Sequence, residues 1–192
     1  KTYETFNTNY YRDIDGKKFN FLDKEEDFLN GKYGVKYIND FYRRLGTASP
    51  DALFNSEIIL SQHENKIKGK KVLILGGGPS ASIIEWQDKY DYIFSCNNYF
   101  KKFSLISPYL ISFTPYMNLL DDKLINFLNS NNSYVGIEPE FIKPNEMKML
   151  KRFYPMFKNR IILYQTRYCS AIGASTRQAV LAVLLGASEV HL

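Results

Sequence analysis

The chain is poor in the residues that build covalent or metal-based sites. Its 192 residues include two cysteines, Cys96 and Cys169, each in an apolar setting and neither with a CxxC partner. That excludes a disulfide scaffold and fits a reduced, cytoplasmic compartment. Two histidines, His63 and His191, are too few for a histidine-based centre, so no metal is expected. No apolar run approaches the roughly 20 residues that span a bilayer. The opening Lys1-Thr2-Tyr3-Glu4-Thr5 lacks the apolar core of a secretory signal. Excess charge is scarce too: 25 Lys and Arg against 20 Asp and Glu leave +5, with the lysines scattered. Runs such as Lys66-Ile67-Lys68-Gly69-Lys70-Lys71 and Lys148-Met149-Leu150-Lys151-Arg152 read as solvated faces before nucleic-acid grooves. Aromatic residues are plentiful but form no base-stacking ladder, and no nucleic-acid partner is expected. Drawing in an anionic substrate, or peripheral contact with acidic lipid, is also open to the surplus positive charge.

What is present begins at Lys70-Lys71-Val72-Leu73-Ile74-Leu75-Gly76-Gly77-Gly78-Pro79-Ser80. Val72 to Leu75 has the composition of a strand buried on both faces. It empties into three glycines, which let a backbone turn sharply and approach a ligand closely. A helix starting near Pro79 would aim free N–H groups and its positive dipole end at the same spot, which suits a phosphate. Gly76 to Ala81 fits G-x-G-x-x-A, the looser dinucleotide fingerprint. A tight strand-to-helix turn would use the same residues. The second strand ends Phe94-Ser95-Cys96-Asn97-Asn98, with an amide where NAD and FAD sites carry a ribose-binding carboxylate. Asn97 and Asn98 suit ribose hydroxyls or a pyrimidine edge, although adjacent asparagines also make turns.

Composition divides the chain into a leader, residues 1–68, rich in Tyr, Phe, Asn, Asp and Lys, and a nucleotide-binding domain, residues 69–192. In the leader, residues 51–62 read as a helix after Ser49-Pro50. From Lys70 the pattern predicts strands over 71–75, 92–96, 109–113, 134–137, 160–164 and 189–192. Helices are predicted over 82–87, 121–130, 145–153 and 175–185. The last is apolar almost all round, with a hydroxyl N-cap at its start and a glycine stop at Gly186. Alternation of this kind defines an α/β, Rossmann-like fold: a mostly parallel sheet flanked by helices, with an N-terminal helical or irregular leader. Gly173, Ala174, Ser175 and Thr176 make a small-residue entrance to the last helix, and Ser170 lies just before it. Arg167 and Tyr168 precede that entrance within reach of an anion, and Thr114-Pro115-Tyr116 follows the third strand toward the same crevice. The sequence given closes on a strand, so part of the site is expected beyond Leu192.

Three features in order carry a resemblance: strand-Gly76-Gly77-Gly78-Pro79-Ser80, then Phe94-Ser95-Cys96-Asn97-Asn98-Tyr99-Phe100, then Gly173-Ala174-Ser175 leading to Leu184-Leu185-Gly186-Ala187-Ser188-Glu189-Val190-His191-Leu192. Over residues 70–192 the chain resembles bacterial lipooligosaccharide sialyltransferases, which show strand-GNGPS, C-N-Q-F and S-G-x…A-L-G-x-x-E-I-Y-L. It is equally similar to the 6-hydroxymethylpterin diphosphokinase-like proteins that include flagellin-modifying motility accessory factors. The resemblance implies that Gly76, Gly77, Gly78 and Ser80 contact the CMP part of a sugar donor. It likewise places Asn97 and the Gly173-Ala174-Ser175 loop at that donor, with Asn98 and Thr114 as further binding candidates. It carries over no catalytic residue, because the general-base His of the sialyltransferases lies downstream of the stretch ending here at Leu192. The expected function is a glycosyltransferase-like domain taking a nucleotide-activated sugar, a CMP-sugar, and a glycan or protein acceptor. A pterin-type diphosphokinase using a nucleoside triphosphate and magnesium is one alternative. A non-catalytic nucleotide-binding module is another.

Overall fold

The computed structural model describes residues 41–46, 62–78, 89–102, 107–113, 116–139, 142–164 and 173–192. Six parallel strands make one sheet: β1 (Lys71–Leu75), β2 (Tyr92–Cys96), β3 (Leu110–Ser112), β4 (Tyr134–Ile137), β5 (Ile161–Leu163) and β6 (Glu189–His191). Their order across the sheet is β5-β4-β3-β2-β1-β6. The chain therefore steps outward from β1 to β5 on one side. It then returns across the sheet and lays β6 against the other side of β1. Every described neighbour pair is parallel, including Leu75 beside Ser95 and Val72 beside Val190. The α/β, Rossmann-like expectation is met by this sheet and its flanking helices.

Helices α1 (Tyr99–Lys102), α2 (Asp122–Ser130), α3 (Pro144–Phe157) and α4 (Ala174–Leu184) flank the strands. Residues 41–45 and 62–67 are also helical. Burial on both faces explains the near-continuous apolar runs of the strands. On one face, Ile111, Val135, Ile137, Ile161 and Leu163 pack with Leu124, Phe127 and Leu128 of α2 and with Met147, Leu150, Phe153 and Phe157 of α3. Phe41, Tyr42 and Leu45 belong to that same cluster. On the other face, Val72, Ile74, Phe94 and Leu110 pack with Ile67 and with Leu181, Ala182 and Leu185 at the α4 end.

Local chemistry sets the helix ends. Asp121 caps α2 by accepting from the Lys123 amide at 2.9 Å, and Lys101 pairs with the same carboxylate at 2.8 Å. Helix α3 opens with Pro144, and Glu146 accepts from the Lys143 amide at 2.8 Å. The expected end at Phe153, ahead of Pro155, falls one turn short. Pro155 is exposed on the solvent side of the helix. Phe153 and Phe157 are buried with ring centroids 4.8 Å apart, and that contact holds the final turn.

Helix α4 departs from expectation at both ends of its character. Its N-cap is Gly173, with no side-chain cap, in place of a hydroxyl. Its surface is not apolar all round: Val183 is 62% exposed, whereas Arg177 and Gln178 are buried. The glycine stop holds. Gly186 has φ +84, a left-handed conformation that L side chains avoid, and its carbonyl accepts from Gly69 at 2.8 Å. The predicted helix over 82–87, and residues 51–61 of the one predicted over 51–62, lie outside the described residues.

Two close-packed points yield tests. A Cβ on Gly136 of β4 would lie 2.6 Å from Ser112 Oγ and 2.9 Å from the Tyr164 ring, because those side chains hydrogen-bond across it at 3.0 Å. Gly136→Ala is expected to cost about 1–3 kcal/mol by overpacking, read as a lower urea midpoint. An unchanged midpoint would show that the crossing relaxes freely. At the amino edge of the sheet, His63 is buried with its ring edge-on to Tyr109 and Tyr134, and its Nδ1 hydrogen-bonds the Tyr109 hydroxyl. Burial, reinforced by the Lys66 charge, lowers its pKa from 6.5 to about 4. The unfolded chain therefore binds a proton that the folded chain refuses, and stability falls as pH drops through that window. The loss on reaching pH 4 is about 3 kcal/mol. His63→Phe should flatten this slope in urea unfolding between pH 7 and 4.5; parallel curves for the two proteins would refute the assignment.

Candidate functional site

The carboxyl edge of the sheet gathers the sequence-predicted residues. Gly76, Gly77 and Gly78 leave the end of β1, and β2 beside it ends at Cys96 followed by Asn97 and Asn98. The Gly77 amide lies close enough to Cys96 to favour its thiolate, which sets the glycine corner beside the end of β2. Neither Gly76 nor Gly77 has a positive φ, and a Cβ at either would meet nothing within 4 Å. The expectation of a sharp turn made by glycine's conformational freedom is therefore corrected at these two positions. What the glycines leave is open space above the strand end, where a guest can approach the backbone.

Asn97 carries the left-handed conformation instead, at φ 54, which asparagine tolerates better than most residues. Its amide donates to Ser112 O at 2.9 Å, and Asn98 O accepts from Lys101 N at 3.0 Å. These two residues thus form the turn from β2 into α1, and the Asn98 side chain stays at the surface. Both of these turn bonds are between main-chain atoms.

The α4 entrance arrives at the same edge. Gly173 is exposed, Ser175 half-buried and Ala174 buried, so Ala174 has only its main chain to offer a ligand. Gln178 Nε2 donates to Ser95 O in β2, and Arg177 lies close enough to Cys96 to favour its thiolate. Burial is the larger influence on that thiol and raises its pKa. At the opposite end of α4, Gly186 meets Gly69 at the amino edge, so the helix runs antiparallel to the strands. Its uncapped start and positive dipole end consequently face the glycine corner. Ser80, Thr114, Arg167, Tyr168, Cys169 and Ser170 lie outside the described residues.

Below this surface lies a buried polar layer that sequence reading missed. Arg177 Nε meets Glu138 Oε2 at 2.7 Å with both side chains at 1% exposure or less. Glu138 directly follows β4, and its amide donates to the Tyr116 hydroxyl at 2.8 Å. Glu146 accepts from the Tyr116 amide at 3.0 Å and so joins α3 to the same layer. Burial, with the nearby Glu138 charge, raises the pKa of both Tyr116 and Tyr164, so these phenols stay protonated. One signal was available. Residues 174, 177, 178, 181, 182 and 185 share one helical face, so extending the Leu181–Leu185 stripe backwards places Arg177 and Gln178 inside.

Chemically, the edge offers main-chain N–H groups, a helix dipole, the Asn97 carboxamide and the Ser175 hydroxyl. That set suits an oxyanion with a polar appendage. No group of three His, Cys, Asp or Glu able to hold a metal ion occurs among the described residues. Among them, too, no helix is long and apolar enough to cross a membrane. Comparison with family models, with curated proteins and with solved structures finds no match.

The Arg177–Glu138 pair has a measurable consequence. Arg177→Met strands a buried carboxylate and is expected to cost about 3–5 kcal/mol, whereas the double variant Arg177→Met/Glu138→Leu should recover most of that loss. Urea titration of the two variants distinguishes a coupled pair from two independent residues, for which the losses would add.

Proposed function

We propose that this chain is the nucleotide-binding domain of a glycosyltransferase, and that it takes a nucleotide-activated sugar, a CMP-sugar, at the carboxyl edge beside the ends of β1 and β2. One observation carries the reading. Strand order reverses at β1, the open glycine corner leaves the carboxyl end of that strand, and the α4 start is anchored beside it at the end of β2 through Gln178 and Ser95 O. Ligands of open α/β sheets bind outside the carboxyl ends of strands at such a switch point. The donor phosphate would lie over Gly76 and Gly77 before the first turn of α4, where main-chain amides and the dipole oppose its charge. Asn97 would reach the ribose or the pyrimidine edge. Preference for a CMP-sugar over other nucleotides rests on the resemblance over residues 70–192.

In the transfer, the acceptor oxygen bonds to the anomeric carbon as the bond from that carbon to the phosphate oxygen breaks. CMP departs with the electron pair, and a base takes the acceptor proton. The role this chain's own residues would play is to bind the donor and to stabilise charge on the departing phosphate. The diphosphokinase alternative needs carboxylates free for magnesium. The two buried candidates are engaged, Glu138 with Arg177 and Glu146 with two main-chain amides.

Thermal denaturation tests the proposal. CMP at a hundred times its Kd should stabilise the fold by about 2.7 kcal/mol, a rise in Tm of about 5–11 °C for a domain of this size. UDP and NAD should give smaller shifts. Gly77→Val should leave the ligand-free Tm unchanged within about 1 °C, since its side chain enters open space, yet abolish the CMP shift. Stabilisation by ATP with magnesium alone would transfer the site to the diphosphokinase class. Stabilisation by none of these nucleotides would end the nucleotide reading.

A further inference from the structure

Helix α3 presents a concentrated basic face to solvent. From Ile142 to Tyr164 the only acid is Glu146, which is buried, while Lys143, Lys148, Lys151, Arg152, Lys158 and Arg160 are cationic. Lys148, Lys151 and Arg152 are exposed, as is Lys158 in the turn after the helix. At about 100° per residue, the first three fall within about 100° of arc on one side of the helix. None of these four cations forms an ion pair among the described residues. Lys70, Lys71 and Lys101 elsewhere pair with Asp91, Glu189 and Asp121. Beside Arg152 on the same face, Met156 is 51% exposed, one of three large apolar side chains so exposed among the described residues. The opposite face is locked to the sheet by Met147, Leu150, Phe153 and Phe157, so the charges stand on a fixed platform.

We infer that this face docks the protein peripherally on a bilayer surface rich in anionic phospholipid. An acyclic run of lysines on a flexible tail would serve as a diffuse counter-ion. Here the cations lie on one side of a packed helix, without an ion pair among the described residues, beside an apolar side chain suited to the headgroup boundary. Three features favour lipid over nucleic acid. Point-charge lysines outnumber forked arginine, Phe153 and Phe157 are buried, and among the described residues no exposed ring on this face is available to stack on a base. The inference is independent of the nucleotide site, which lies at the strand ends.

Co-sedimentation of the full chain with vesicles of 70:30 phosphatidylcholine and phosphatidylglycerol tests it. The protein should bind these vesicles at 0.1 M NaCl, fail to bind pure phosphatidylcholine, and be released at 1 M NaCl, where screening acts within about 3 Å. Lys148→Gln/Lys151→Gln/Arg152→Gln should weaken binding about 100-fold, on the basis of about fivefold for each basic residue at an anionic surface. A charge-matched control, Lys68→Gln/Lys89→Gln/Lys123→Gln, changes exposed residues elsewhere and should retain most of the affinity. Equal weakening in both triple variants would reduce the effect to net charge and overturn the proposal. So would binding insensitive to salt, no binding to anionic vesicles, or tighter binding of a single-stranded RNA through the same three residues.

Discussion

The arrangement at the carboxyl edge depends on how α4 is seated across the sheet. The helix must travel from the β5 side back over β1 and β2 to deliver β6, and it does so with Leu181, Ala182 and Leu185 against Val72, Ile74 and Phe94. Apolar contact alone permits sliding, because such surfaces are non-directional. The Arg177–Glu138 pair and the Gln178 bond to Ser95 O add direction at the amino end of the helix. A buried ion pair of this type contributes little net stability compared with well-packed apolar residues. Its contribution here is geometric: it sets where the first turn of α4 points. The Gly69–Gly186 contact fixes the other end, so the helix is held at both termini.

From that seating follows the chemistry available at the strand ends. The guanidinium lies beneath the surface, compensated by Glu138, and among the described residues the exposed part of the edge carries neutral groups: amides, a carboxamide and a hydroxyl. Such a surface favours a singly or doubly charged oxyanion through oriented dipoles, without a strong net field. It also leaves room, because Gly76 and Gly77 bear no side chains over the end of β1. Cys96 lies near both the Gly77 amide and Arg177, and burial raises the pKa of its thiol.

Much of this was legible in advance. The strands at 71–75, 92–96 and 134–137 emerged at their observed bounds, because short apolar runs between turn residues have few alternatives. The pairing of the glycine corner with the asparagine turn also followed, since consecutive strands of an α/β sheet are usually neighbours. The buried polar layer did not follow. Arg177, Glu138, Tyr164 and Ser112 come from four separate segments, and nothing local marks them as partners. The α3 end was misread for a related reason: Pro155 opposes helix in isolation, and only the buried Phe153–Phe157 contact offsets it.

Sequence by itself determined the six strands, the helices α2, α3 and α4, the mostly parallel α/β class and the glycine stop at Gly186, because each depends on periodicity or on backbone freedom within a few residues. Tertiary structure alone decided that β6 lies beside β1, that Gly76 and Gly77 face open space, and that Arg177 points inward to Glu138. Those outcomes depend on contacts between residues far apart in the chain, whose energies exist only once the sheet has brought them within a few ångströms.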